Sequence, residues 1–354
     1  MMKMKNKVIG VIMLCSIFAS CSTTKHLPEG EILYTGIDRI EVQNEDKTEA
    51  GMAALVEVEA ALAYAPNNAI LGSSSLRWPV PVGLWIYDKF VKYQNKKGFG
   101  RWVFDHLGES PVLLSSVNGE TRAKVATGLL RDYGYFKGKV SYKEVPQKNP
   151  QMAKVSYVVD MATPYYLDSI AYLKFPHVAD SLIRATRMES ALKSGDNFSV
   201  IKLEDERQRL NNLFRNHGYY YYRPELTAYR ADTLQKPGYV SLQVVPQMGI
   251  PAEAKRQYYI GNTSVYLTGY NNEPPTDTLR LRTMTLYYSG KKPEVRPSAL
   301  MRNFFFRKGD LYSQDRQSFT QEAVSRMGIF KFSEFRYSLR DASMGCDTLD
   351  VSMY

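Results

Sequence analysis

Three times along this chain, apolar residues at helical spacing run into a glycine, after which the pattern switches to the alternation of β-strands. The switches are Asp132-Tyr133-Gly134-Tyr135-Phe136, Asn216-His217-Gly218-Tyr219-Tyr220 and Arg326-Met327-Gly328-Ile329-Phe330. Ahead of the first, Val125, Leu129, Leu130 and Tyr133 share one helical face; ahead of the third, Phe319, Ala323, Val324 and Met327 repeat the same i, i+4, i+5, i+8 spacing. Leu203, Leu210, Leu213 and Phe214 form the second face. Each switch leads to a closing strand, read from Val155/Tyr157/Val159, Val240/Leu242/Val244 and Leu349/Val351/Met353. Gly134, Gly218 and Gly328 stand where a helix end calls for a left-handed residue.

Upstream of the later two helices, Gly195-Asp196-Asn197-Phe198-Ser199 and Gly309-Asp310-Leu311-Tyr312-Ser313 share a form, with the serine placed to cap the helix that follows. Gly108-Glu109-Ser110-Pro111-Val112 is a looser first copy. One helix ending in glycine before a strand is common in any α/β protein. Three with matching neighbours on both sides indicate a repeated small unit, a string of beads rather than one enzyme core.

The first bead opens with a strand over Glu31–Val42 and a helix over Thr48–Ala65, and resumes with a helix over Gly119–Tyr133 and two strands ending near Asp160. Ala162-Thr163-Pro164 is a break. The second bead has helices over Val178–Leu192 and Val200–His217 and strands to Val245, closed by Pro246 to Pro251. The third starts near Tyr258, passes a hairpin-like region at Asn271-Asn272-Glu273-Pro274-Pro275, and has helices over Pro297–Phe306 and Ser313–Met327.

Lys3, Lys5 and Lys7, the apolar run from Val8 to Phe18 and then Phe18-Ala19-Ser20-Cys21 read as an export signal over residues 1–20. Small residues just before a cysteine resemble the bacterial lipobox, which implies diacylation of Cys21 and cleavage before it; phenylalanine stands where that box usually has leucine. Loss of the three lysines lowers the formal charge from +10 to +7, and with Cys15 removed and Cys21 acylated, only Cys346 remains as a free thiol. No intrachain disulfide is then possible. Ser22-Thr23-Thr24-Lys25 lacks an acidic surface-export cluster, so the chain is expected to face the periplasm. The 26 tyrosines suit half-buried strands and wet binding surfaces better than a dry catalytic interior.

The β-α-α-β-β order, with Gly-Asp-x-aromatic-Ser before the second helix and Gly-Tyr/Ile-aromatic after it, resembles the POTRA (polypeptide-transport-associated) domain. The stretch from Cys21 to Glu31 also looks like the opening of lipidated BamA/TamA-family outer-membrane proteins of Bacteroidetes. The resemblance implies an α+β fold of tandem β-α-α-β-β units, each a three-stranded sheet covered by two helices. The expected units are 21–163, with an insertion at 67–107, then 164–250 and 251–354. In that family a transmembrane β-barrel follows the string, so a barrel is expected beyond these residues.

Residues 67–107 depart from a minimal unit. Trp78, Trp85 and Tyr87, flanked by lysines, have the composition of a membrane interface or partner surface, the other possibility being a segment folded back over its own bead. Lys97 to Phe104 nearly spells the RNP1 octamer of RNA-recognition motifs, yet Arg101 stands where a stacking aromatic belongs, and no nucleic-acid partner is expected. His26, His106, His177 and His217 are scattered, and neither a nucleophile elbow nor a phosphate-binding loop occurs, so no metal, cofactor or enzymatic activity is expected.

Binding remains. A three-stranded sheet has strand edges that an extended chain can join through backbone hydrogen bonds. The expected partners are unfolded, strand-rich outer-membrane proteins, envelope assembly partners, and outer-membrane lipid through Cys21. The segment Tyr219–Tyr229 is the expected client edge, with Tyr220, Tyr222 and Thr227 as contact positions. The alternative is a non-catalytic scaffold lipoprotein that joins folded envelope partners.

Overall fold

The computed structural model describes residues 24–70, 72–74, 76–268, 274–341 and 345–354. Cys21 and the export signal lie outside the described residues, as do Asn271, Asn272 and Glu273. The chain forms two compact units: Tyr165 and Asn197–Ser199 belong to the first with the chain before them, and Tyr166–Asp196 with Val200–Tyr354 make the second.

In the first unit β1 (Leu33–Gln43) is followed by α1 (Glu49–Leu62), then by α2 (Val82–Phe90) and α3 (Phe99–Leu107) of the insertion. The short α4 (Leu114–Val117), α5 (Gly119–Asp132), β2 (Lys139–Pro146) and β3 (Met152–Asp160) complete it. The sheet order is β1-β3-β2, with β1 parallel and β2 antiparallel to β3. β3 alternates buried Ala153, Val155, Tyr157 and Val159 with half-exposed residues, the period of a sheet covered on one face.

That face is covered by α1 and α5. Thr48 caps α1 by accepting from the Gly51 N–H, and Asn118 caps α5 by accepting from Thr121. The buried stripe of α5 is Ala123, Ala126 and Leu130, while Val125 is exposed, so the expected face is rotated by about one residue. Small Ala123 and Ala126 join a core that also holds Ala54 and Val58 of α1, where a larger side chain would hold the helices apart. Arg122 donates to the Ala61 and Ala63 carbonyls, satisfying acceptors that the end of α1 leaves open.

The second unit contains two beads. One has β4 (Tyr166–Tyr172), α6 (His177–Ala185), α7 (Val200–Asn216), β5 (Thr227–Asp232) and β6 (Tyr239–Pro246), with sheet order β4-β6-β5. α6 stops at Ala185 instead of reaching Leu192: the Thr186 hydroxyl bonds back to the Leu182 carbonyl and a single 3-10 turn follows. The other bead has β7 (Tyr259–Tyr266), β8 (Asp277–Arg280), β9 (Thr285–Tyr288), α8 (Pro297–Asn303), α9 (Gln314–Arg326), β10 (Phe335–Leu339) and β11 (Thr348–Met353).

The fold is α+β, built of tandem β-α-α-β-β units. The last bead differs from the expected three-stranded sheet. Its order is β10-β11-β7-β9-β8, because the β8–β9 hairpin adds two strands alongside β7. α8 ends at Asn303, three residues short of the expected Phe306, and Phe304 and Phe306 enter the core with Leu300, Val324 and Val351. Ser313 caps α9, accepting from Arg316. Among the described residues no helix is long and apolar enough to cross a membrane.

Candidate functional site

In every bead, the segment ahead of the second long helix is hydrogen-bonded to the start of the first strand. Leu167 N–H donates to Asp196 O (2.8 Å) and Phe198 N–H to Tyr165 O (2.8 Å). Ile260 and Tyr312 repeat the pattern with Asp310 O (2.8 Å) and Tyr258 O (2.9 Å). In the first bead the equivalent bonds run from Tyr34 to Val112 O and from Leu114 to Ile32 O, both 2.8 Å. The first copy of the repeat is therefore centred on Val112–Leu114, three residues beyond the expected Gly108–Val112. Only backbone groups are used there, so neither the glycine nor the aspartate of the other copies is required.

The rest of the first-strand edge is closed differently each time. On β1, Arg77 donates to the Thr35 and Ile37 carbonyls at 3.3 and 3.2 Å. Gly36 makes room for it: φ is +114° and a Cβ would fall on the guanidinium. Asn67 ties the neck of the insertion, donating to Ser110 O and accepting from Val112 N–H. This part of residues 67–107 thus folds back over its own bead. On β4, Arg187 donates to the Ile170 carbonyl at 3.1 Å while lying over the Tyr172 ring. On β7 the edge is taken by β9.

The opposite edges, β2, β5 and β10, have no strand beside them among the described residues. Alternation of the antiparallel ladder shows which backbone groups face outward. Gln147 N–H bonds to Met152 O, so the outward residues of β2 are Val140, Tyr142, Glu144 and Pro146. Two of these are blunted: Val140 N–H donates to the Thr127 hydroxyl at 2.9 Å, and Pro146 has no N–H. Gln247 N–H bonds to Leu226 O, so Thr227, Tyr229 and Ala231 face out on β5, and Arg340 N–H to Thr348 O leaves Phe335, Tyr337 and Leu339 facing out on β10. β5 and β10 stay open beyond the Thr227 N–H, which donates to the Pro224 carbonyl, and β8 is a further edge at the far end of the five-stranded sheet.

Of the three expected contact positions, only Thr227 lies on β5, at its first residue. Tyr220 and Tyr222 precede the strand, which begins only at Thr227 because Pro224 opens a 3-10 turn. Tyr222 and Thr227 are buried and bonded to each other, hydroxyl to hydroxyl, at 2.8 Å, with the Tyr222 ring edge-on to Phe214. Burial pushes the Tyr222 phenol up to about 12. Tyr220 packs against Tyr312 and Tyr337 of the following bead at centroid distances of 4.9 and 5.3 Å. All three build the fold, and the accessible side chains on this edge are Arg230 and Ala231. Tyr229 faces its backbone out but sends its hydroxyl in to the Leu203 carbonyl at 2.6 Å.

Tyr220 belongs to a joint within the second unit. The Gly218 carbonyl accepts the Tyr258 N–H (2.8 Å), as the Gly134 carbonyl accepts the Tyr165 N–H (3.0 Å) in the first unit. Arg215 donates to the Tyr312 hydroxyl at 2.7 Å and lies over the rings of Tyr220 and Tyr312. Asn216 donates to the Asp315 carboxylate and accepts from the Asp315 N–H and the Ser313 hydroxyl, binding the start of α9. Arg215, Arg77 and Arg187 were not read from the sequence as structural clamps. Gly36, an isolated glycine inside a strand pattern, was the available signal for Arg77.

Gly134, Gly218 and Gly328 have φ of +90°, +97° and +67°. A Cβ on Gly218 would also lie 3.0 Å from the side chains of Gln257 and Leu311, whereas one on Gly328 meets nothing within 4 Å. Gly218→Val is expected to destabilise by about 1–3 kcal/mol from the backbone alone, with a further packing contribution absent from Gly328→Val. Urea unfolding of both variants checks this; equal midpoints would remove the packing contribution.

Trp78 of the insertion is exposed, while Trp85 and Tyr87 are partly buried on α2, Tyr87 packing on Phe104 at 5.3 Å. The RNP1-like stretch folds as α3.

The sequence matches no protein-family profile and no curated protein. Among solved structures, the chain is similar to the crystal structure of Haemophilus influenzae BamA POTRA3-5, at 13% identity over 93% of this chain and 98% of that one, with a TM-score of 0.38. It is also similar to POTRA1-3 of the periplasmic domain of Omp85 from Anabaena, at 12% identity over 92% and 95%, TM-score 0.27. A third likeness is to the N-terminal domain of Omp85 from Thermosynechococcus elongatus, at 13% identity over 92% and 97%, TM-score 0.24.

Proposed function

We propose that this chain is the periplasmic POTRA segment of an outer-membrane protein assembly or translocation factor, held at the membrane by lipid on Cys21. It binds unfolded, strand-rich outer-membrane polypeptides by backbone pairing at the edges of β5 and β10. The observation that carries this reading is the asymmetry of the sheets. The first-strand edge of each bead is closed by an arginine or a hairpin, while the outward N–H groups of Tyr229 and Ala231 on β5 and of Phe335, Tyr337 and Leu339 on β10 have no partner among the described residues. Such edges are normally blunted in monomeric proteins, and an extended client completes them with little demand on its sequence.

Ala231→Pro tests the β5 edge directly. Residue 231 faces outward, so proline there removes a donor that a client needs but no bond to β6, and edge positions tolerate it. In the native envelope, photocrosslinkers at Arg230 and Arg336 should capture unfolded outer-membrane proteins. Ala231→Pro should suppress the Arg230 adduct several-fold with melting unchanged. Capture should persist at moderate salt, since longer-range charge attraction is already screened beyond about 8 Å at 0.15 M. Adducts only with folded soluble partners would replace this reading by the scaffold one.

A further inference from the structure

We propose that the α2–α3 hairpin of the insertion docks on an anionic phospholipid surface, with Phe99 and Trp102 entering the interfacial layer; the proposal rests on the reading of Cys21 as the lipid anchor. Phe99, Trp102 and His106 recur at i, i+3 and i+7 on α3 and stack face to face, with centroids 5.9 and 5.1 Å apart and ring planes within 17° and 19°. This ladder is not core. Phe99 is 77% and Trp102 50% exposed, whereas Val103 is buried and Phe104 packs on Tyr87 of α2. Trp78, Val82 and Leu107 add further exposed apolar area within the insertion and α3.

Charge selects the occupant. Residues 86–107 carry five lysines and arginines against two aspartates, a net of +3. Arg101 pairs with Asp105, but Lys89, Lys92, Lys96 and Lys97 have no carboxylate partner among the described residues. Lys92 and Lys96 hold their ammonium groups over the Tyr93 ring at 5.1 and 5.5 Å. Tyr93 itself lies against Gly100, where a Cβ would come within 2.9 Å of its ring, so these cations stand beside the start of the ladder. Exposed aromatics rimmed by unpaired lysines match the layered chemistry of an anionic headgroup region above acyl chains.

Position points the same way. Thr24 is buried, and His26 Nδ1 lies 3.0 Å from Asp88 Oδ1 on α2. Cys21 precedes His26 by five residues, and five residues of extended chain span at most about 18 Å. A lipid on Cys21 therefore holds the hairpin within reach of the bilayer surface.

All three tryptophans, Trp78, Trp85 and Trp102, lie in the insertion, so intrinsic tryptophan fluorescence reports on it alone. The chain from Ser22 onward keeps every described residue and carries no lipid. Mixed with vesicles of phosphatidylethanolamine and phosphatidylglycerol, it should co-sediment and shift its emission to the blue, with weaker binding to phosphatidylcholine vesicles. Phe99→Ser with Trp102→Ser should lower partitioning by about tenfold or more. Met188→Ser with Leu234→Ser, at apolar positions that are exposed elsewhere, should leave it unchanged. Both double variants alter exposed side chains, and unchanged melting confirms their folding. Equal partitioning of the two, or no blue shift of the unlipidated chain, overturns the proposal. Fatty-acid labelling of the full chain against Cys21→Ala reads the anchor separately: labelled protein whose unlipidated form ignores vesicles sinks the docking and leaves the anchor standing, and vesicle binding without labelling supports docking and sinks the anchor.

Discussion

Replacing Glu206 with alanine is expected to destabilise the bead that carries it by about 3–5 kcal/mol, the usual consequence of removing one member of a buried ion pair. Glu206 is completely buried on α7. Its carboxylate accepts from Arg209 Nε and Nη2 at 2.9 and 2.7 Å, from the Tyr172 hydroxyl at 2.5 Å and from the Ala191 N–H at 3.0 Å. Alanine would leave all of these donors without their acceptor and the guanidinium without its countercharge. Burial by itself would raise the Glu206 pKa, but the Arg209 bonds, the Tyr172 hydroxyl, the Arg209 charge and the Ala191 N–H outweigh it and hold the carboxyl below its ordinary value. The same surroundings push the Tyr172 phenol up to about 12, chiefly through burial and then through its bond to Glu206.

The sign of the pH dependence follows from a depressed folded-state pKa. The stabilisation from Glu206 is complete above the unfolded value of about 4.3 and is lost as pH falls through the lower folded value. Glu206→Gln should flatten that acid limb. Urea unfolding at neutral pH should show the Glu206→Ala midpoint falling by about 1 M or more, given a slope of about 1–3 kcal/mol per M. Glu206→Leu combined with Arg209→Met should recover part of the loss, because no charge is then stranded. A Glu206→Ala protein that unfolds at the wild-type midpoint would mean that water reaches this network.

The repeat was legible in the sequence because it rests on periodicity: the glycines, the closing strands and the Gly-Asp segments of the later beads all stand out by residue type. Less visible was anything built from backbone alone. Val112 and Leu114 make the same bonds as Asp196 and Phe198 without sharing their side chains, so the first copy was misplaced by three residues. The apolar faces misled where helices approach closely, since Ala123 and Ala126 are buried and the larger Val125 and Phe319 are not. The tyrosine-rich run after Gly218 has strand propensity, yet Tyr219 and Tyr222 are buried beside Phe214 and Tyr220 joins the next bead's core. Tertiary packing overrode local preference there. Edge openness was beyond sequence reading altogether, because it depends on which long-range donors, such as Arg77 and Arg187, reach which strand.

Tyr312→Ala should be the most damaging change at the joint, costing about 3–5 kcal/mol through the lost aromatic volume. Tyr312 is completely buried, edge-on to Tyr220 and to Tyr337, with its hydroxyl accepting from Arg215 and donating to Gln317 at 3.0 Å. Burial raises its pKa, and the neighbouring Arg215 charge opposes that shift without cancelling it. Tyr312→Phe isolates the polar part. The ring stays, but Arg215 loses an acceptor while its Nε already lacks a partner among the described residues, so a further loss of about 1.5–3 kcal/mol is expected for the charged hydrogen bond. The two beads should then open separately. Native-state hydrogen exchange would show this as loss of protection at Tyr258 and Tyr312, whose N–H groups bond to Gly218 O and Tyr258 O, with the ladder between β5 and β6 still protected. A double-mutant cycle of Tyr312→Phe with Arg215→Met should give a coupling of about 0.5–3 kcal/mol. Zero coupling would mean that Arg215 covers the joint without holding it, and that the bonds of the Gly218 carbonyl and of Asn216 to the following bead hold the joint by themselves.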